Sequence, residues 1–149
     1  MPRDPLDDFA TEQFTADGVT HQVYVQGSGP AVIVLSEIPG ITPLVADFAR
    51  RVADAGCTAF MPSLFGIDGQ SILPASASDV VASGRMAGSL VRKVCISREF
   101  TILATGRSSP VVTWLRALAR EAHARCGGPG VGAIGMCVTG GFALAMAVD

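Results

Sequence analysis

Residues 132–142, Gly-Ala-Ile-Gly-Met-Cys-Val-Thr-Gly-Gly-Phe, constrain the fold more than any other stretch of the chain. The apolar run 131–134 ends in Gly135, Cys137 follows two residues on, and Gly140 and Gly141 precede a second apolar stretch. Such a pattern reads as strand, sharp turn, helix. A side chain carried on that turn stands in strained backbone, and glycine at 135, 140 and 141 supplies neighbours without bulk on its inner side. Cys137 then projects above a sheet at a helix N-terminus, where unpaired N–H groups favour an anion. Two readings of these residues stand side by side: a nucleophile elbow, or a buried cysteine in a Gly-rich connection, free cysteine being among the most buried residue types.

Upstream, residues 12–26 alternate about Asp17-Gly18, with His21, Val23 and Val25 on one side of the second arm and Gln22, Tyr24 and Gln26 on the other. Asp-Gly between two such arms predicts a hairpin. Residues 31–35, Ala-Val-Ile-Val-Leu, are continuously apolar and largely β-branched, as in a strand buried on both faces of a parallel sheet. Thr42 is placed to cap a helix starting at Pro43, in which Leu44, Phe48 and Val52 form an i, i+4 stripe and Gly56 is the stop. Residues 57–61 predict the next strand. Strand, helix, strand implies parallel strands and an α/β protein.

Residues 63–107 are less legible, and the segment 88–104 is read as helix. Ser109 and Pro110 open an amphipathic helix with Val111, Leu115, Leu118 and Ala122 on one stripe and Arg116, Arg120 and His123 on another. Trp114 adjoins the apolar stripe and reads as core. The run Gly127-Gly128-Pro129-Gly130 ends the helix and delivers the chain to the strand before Cys137.

Composition narrows function mainly by exclusion. A length of 149 residues with 49% apolar content suits one domain, and a net charge of −2 without a Lys/Arg cluster argues against nucleic acid as a partner. The acidic start lacks the apolar core of a secretory signal. Four cysteines, at 57, 95, 126 and 137, form no C-x-x-C pair, and only two histidines are present, so no metal site, redox motif or cofactor is indicated. Reduced thiols in a cytoplasmic protein fit best. The uncharged stretch 126–148 is long enough to cross a bilayer, but seven glycines and Pro129 break it into loop, strand and helix, so no membrane partner is expected.

The order hairpin, buried strand, helix, strand, long excursion, helix, strand, cysteine turn resembles the N-terminal part of an α/β-hydrolase, specifically the dienelactone hydrolase family. Two motifs carry the resemblance: Gly135-Met136-Cys137-Val138-Thr139-Gly140-Gly141, and Ser36-Glu37-Ile38-Pro39-Gly40 followed by the helix 43–56 and Phe60-Met61-Pro62-Ser63-Leu64-Phe65. The family's elbow is Gly-x-Cys-x-Gly-Gly, and here Thr139 stands where the first closing glycine would be. The resemblance implies a three-layer αβα fold, mostly parallel, with an N-terminal antiparallel hairpin. It also implies that 1–149 is a partial, C-terminally truncated domain, because the family's triad Asp and His follow the nucleophile in chain order.

By the same resemblance Cys137 is the nucleophile attacking an ester or lactone carbonyl, and Glu37 is the loop glutamate that helps control the thiol's protonation. The backbone N–H groups of Ile38 and Val138 form the oxyanion hole, each contributing about 3 kcal/mol where water is excluded. Arg98 and Arg107 lie where such enzymes place groups that contact a carboxylated lactone, and each also reads as a solvated or helix-face arginine. His21 and His123 are read as structural and surface residues. The fragment itself is expected to be weakly active or inactive. The alternatives are a non-catalytic product that self-associates through an exposed sheet edge and, third, a thiol redox sensor built on Cys137.

Overall fold

The computed structural model describes residues 3–38, 40–65, 68–69 and 109–147. Asp17-Gly18 makes the expected hairpin: β1 (Ala10–Ala16) and β2 (Val19–Gly27) are antiparallel and Ala16 faces Val19 across the turn. Asp17 and Gly18 have φ of 50° and 76°, a pair of positive values that matches a type I′ turn and the twist of its strands.

β3 (Ala31–Leu35), α1 (Pro43–Asp54) and β4 (Thr58–Pro62) form the crossover, with β3 and β4 parallel. The Thr42 hydroxyl accepts a hydrogen bond from Val45 N at 3.3 Å, and Gly56 at φ 84° follows the last turn of α1. α2 (Pro110–Cys126) is capped in the same way by Ser109, whose Oγ accepts from Val112 N at 3.2 Å. β5 (Gly132–Gly135), a 3-10 turn (Cys137–Thr139) and α3 (Gly140–Ala147) follow. The strands β4 and β5 each begin one residue later than their sequence patterns indicate. The uncharged stretch 126–148 is thus divided among several elements, and no helix among the described residues is long and apolar enough to cross a membrane. The helix expected over 88–104 lies outside the described residues.

The sheet runs β1-β2-β4-β3-β5, with β2 antiparallel to β4 and β3 parallel to both β4 and β5. Alternation along the strands feeds two cores. Val23, Ile33, Leu35 and Phe60 pack with α2 and Phe142 of α3, while Tyr24, Val34, Ala59 and Met61 pack with α1. Helices therefore cover both faces of the sheet in three layers, which accounts for the unbroken apolar character of β3.

Two helix faces differ from expectation. The stripe of α1 against the sheet is Val45, Ala46 and Ala49, whereas Leu44 is 54% exposed. The two alanines let the helix lie close to the strands, and this rotates the Leu44, Phe48 and Val52 stripe to the margin. In α2 the fully buried residue of the first turn is Val112 rather than Val111, with Trp114, Leu115, Leu118 and Ala122 completing the face. Arg116, expected on the polar stripe, is half-buried and donates from Nη2 to the Ala145 carbonyl at 2.8 Å. That carbonyl lies in the last turn of α3.

The N-terminal segment is tied to α1 through one guanidinium. Arg50 bonds Asp4 at 2.9 and 3.0 Å, Asp8 at 2.7 and 2.8 Å and Asp47 at 2.8 Å, and lies over the Phe9 ring at 5.2 Å. Arg50 holds the Asp4 and Asp8 carboxyls below the usual carboxylate range. A shallow depression of about 570 Å³ lies beside this cluster, and its lining includes Asp4, Asp8 and Arg50, which are engaged in these ion pairs.

Candidate functional site

At the carboxyl end of β5 the backbone reverses over five residues, and its conformation is specific. Cys137 has φ 58°, in the left-handed region that costs a non-glycine residue about 1–3 kcal/mol. The cysteine is exposed despite the usual burial of free thiols, which disposes of the buried-cysteine alternative. It opens the 3-10 turn that runs directly into α3.

Gly135 is the glycine this turn requires. A Cβ there would run into the Thr139 carbonyl and lie 2.6 Å from Gly140 N. The same reasoning does not extend to the other two glycines expected to serve the turn. A Cβ on Gly140 would meet only the Gly135 carbonyl, at 3.6 Å, and one on Gly141 would meet open space.

Thr139 occupies the inner side instead and is fully buried. Its Oγ1 accepts from Met136 N at 2.9 Å, and its hydrogen has two acceptors in reach, the carbonyls of Met136 at 2.8 Å and Leu35 at 3.2 Å. The β-branched side chain is accommodated because it turns into the gap between β5 and β3.

The loop after β3 flanks the turn. Leu35 pairs with Gly135, and Met136 N donates to the Leu35 carbonyl at 3.2 Å. Glu37 and Cys137 therefore each stand two residues beyond one pair of ladder partners, on adjacent strands about 5 Å apart. Glu37 and Ile38 are half-buried. Val138 follows the cysteine, and the first bond of the 3-10 turn is made one residue later, by Thr139 N to the Met136 carbonyl at 3.3 Å. Ser36 carries no role in the sequence reading, yet it is fully buried and its Oγ has no hydrogen-bond partner among the described residues. A serine ending an otherwise apolar strand was the available signal.

The two histidines, Tyr24, Cys57 and Cys126 lie elsewhere. His21 is on β2, three strand positions and about 14 Å across the sheet from β5. Its ring packs edge-on against Trp114 at 4.8 Å, and burial pushes its pKa below the usual value. Trp114 is itself core, donating from Nε1 to the Val19 carbonyl at 3.1 Å. His123 is exposed in the last turn of α2, with Nε2 3.1 Å from the Gly128 carbonyl. Tyr24 bonds Gln22 and Asp68, and its hydroxyl is pushed up to about 12 by burial and then by the Asp68 charge. Cys57 precedes β4 and Cys126 ends α2 before β5, so both lie at the amino ends of parallel strands whose carboxyl ends carry Cys137. A strand's length is too far for a disulfide, which needs Cα atoms within about 7 Å. Arg98 and Arg107, the expected substrate contacts, lie outside the described residues.

Comparison with known proteins agrees with this architecture. Residues 17–149 match the dienelactone hydrolase family. A dienelactone hydrolase-like promiscuous phosphotriesterase from metagenomic libraries is 20% identical over 93% of this chain and 53% of its own, with a TM-score of 0.53. A cold-adapted esterase from an Arctic intertidal metagenomic library is 16% identical over 91% of this chain and 50% of its own, with a TM-score of 0.51. The chain thus spans about half the length of these solved structures, and at such identities the likeness speaks for the fold. No curated protein matches the chain.

Proposed function

The chain belongs to the dienelactone hydrolase family, and from that premise we propose that it carries the nucleophile half of a cytoplasmic carboxylic ester or lactone hydrolase. The observation that carries this reading is Cys137: an exposed thiol in left-handed backbone, at the carboxyl end of a parallel strand and the head of a turn leading into a helix.

In the proposed reaction the Cys137 sulfur attacks the acyl carbon, and the tetrahedral oxyanion is met by the N–H groups of Ile38 and Val138. Collapse breaks the bond to the leaving oxygen, which departs as the alcohol with the proton taken from the thiol. Water then cleaves the thioester, releasing the acid and restoring the thiol. Glu37, on the neighbouring loop, modulates the thiol's protonation. The base and its acid partner correspond to the His and Asp that follow the nucleophile in this family, since neither His21 nor His123 reaches Cys137. The substrate class is a small ester or lactone, with Arg98 and Arg107 assigned to a carboxylate on it. Among the described residues the redox-sensor reading finds no resolving partner, because Cys57 and Cys126 sit at the opposite end of the sheet; Cys95 lies outside the described residues.

The test is a burst of nitrophenolate from p-nitrophenyl acetate, with the acetyl group located by peptide mass spectrometry. An adduct on the Cys137 peptide that disappears in Cys137→Ser supports the reading. An adduct confined to other residues, or none at any concentration of ester, overturns it.

A further inference from the structure

The family's elbow pattern has glycine where this chain has Thr139, and the threonine makes contacts no glycine could. Its hydroxyl bonds Met136 N at 2.9 Å and the Met136 carbonyl at 2.8 Å, so it clamps both polar groups of the residue directly before Cys137. At 3.2 Å it also reaches the Leu35 carbonyl, the last group of β3 before the loop that carries Glu37 and Ile38. The Thr139 backbone meanwhile packs so closely on Gly135 that no Cβ fits there. One fully buried residue thus connects the strand before the cysteine, the turn after it and the neighbouring strand.

We infer that Thr139 is a positioning residue: its hydroxyl holds Cys137 in left-handed backbone and sets the register between the thiol and the loop after β3. The physical basis is the strain at Cys137, which persists only where surrounding contacts over-determine it. Without the hydroxyl, Met136 N retains only the 3.2 Å bond to the Leu35 carbonyl, and the turn can relax toward negative φ at residue 137. A sulfur displaced by about 1 Å from its productive place loses on the order of 100-fold in rate. Thr139 touches no substrate in this scheme and acts through Cys137.

The inference rests on the proposed role of Cys137, and its test is arranged so that the two can fail separately. Thr139→Val removes the hydroxyl at nearly constant volume, and Thr139→Ser keeps it. In the full chain, two rates are measured: acylation of Cys137 by p-nitrophenyl acetate, and alkylation of Cys137 and Cys57 by iodoacetamide, each resolved by peptide mass spectrometry. The expected result is a loss of tenfold or more in Cys137 acylation for Thr139→Val, with Cys57 alkylation within twofold of the parent and acylation restored to at least one third by Thr139→Ser. Equal rates in Thr139→Val and the parent overturn the inference. So does an equal loss in Thr139→Ser, which would assign the effect to packing of the methyl group. Should Thr139→Val not fold, Thr139→Ser decides alone: retained Cys137 reactivity supports the hydroxyl's role and a tenfold loss overturns it. If the parent shows no acylation, the proposed function falls, and the Thr139 inference is then judged on iodoacetamide alkylation of Cys137 by the same criteria.

Discussion

Leu35 and Gly135 are register partners at the carboxyl ends of two parallel strands, and the residue after Gly135 donates its N–H back to the Leu35 carbonyl at 3.2 Å. Everything chemical at this end of the molecule is counted from that pair. Cys137 stands two residues past one partner and Glu37 two residues past the other, so loop and turn are held side by side by backbone bonds before any side chain contributes.

The glycines around Cys137 should respond unequally to alanine. Gly135→Ala pushes a methyl into the Thr139 carbonyl, an overpacking that costs about 1–3 kcal/mol, and it should lower Cys137 reactivity as the turn opens. Gly141→Ala places its methyl in open space within α3 and should raise stability by about 0.5–1 kcal/mol. Urea midpoints of the two variants check the opposite signs.

Cys137→Gly should stabilise the protein while abolishing acylation. Glycine occupies φ 58° without the Cβ penalty, which returns about 1 kcal/mol of the strain. A lower unfolding midpoint than the parent would show that the turn is not strained.

Ser36→Ala removes a buried hydroxyl that has no partner among the described residues. Its desolvation is uncompensated, so the variant should unfold about 1 kcal/mol later than the parent in a denaturant titration. A clear destabilisation would contradict the assignment of that hydroxyl as unpaired.

The Arg50 cluster should make stability fall in acid. Asp4 and Asp8 have pKa values below 3.8 in the folded chain, so the folded state binds fewer protons than the unfolded state as pH falls through that value. Their contribution is present above about pH 5 and is lost as pH falls through the folded values. Arg50→Met should cost about 1–2 kcal/mol at neutral pH and flatten the stability curve below pH 5, both readable from thermal unfolding across that range. An unchanged slope would assign acid sensitivity to other groups.

Much of the fold is visible in short-range chemistry. Asp17-Gly18 specifies its turn because few residue pairs tolerate two positive φ values, and Thr42-Pro43 and Ser109-Pro110 mark helix starts because each supplies an oxygen for an orphan N–H and a proline that needs none. Spacing alone does not identify the buried stripe of α1. Residues 44 and 48 and residues 45 and 49 share the same spacing, and only the closeness of the sheet selects the face of Val45, Ala46 and Ala49.

At the site, the local pattern was sufficient to place Cys137 on a strand-to-helix turn and to require glycine at 135. It was insufficient for Thr139, which looks like an awkward substitution until the gap between β3 and β5 is seen to receive its hydroxyl, and for Ser36, whose isolation depends on what packs over it. Local chemistry along the chain dictates which residues turn, cap, alternate or carry a thiol, all consequences of backbone sterics within a few positions. Which glycine is indispensable, which helix face is buried and which hydroxyl braces the cysteine emerge from packing between distant segments. Those outcomes depend on Leu35 and Gly135, a hundred residues apart in the chain, lying side by side in one sheet.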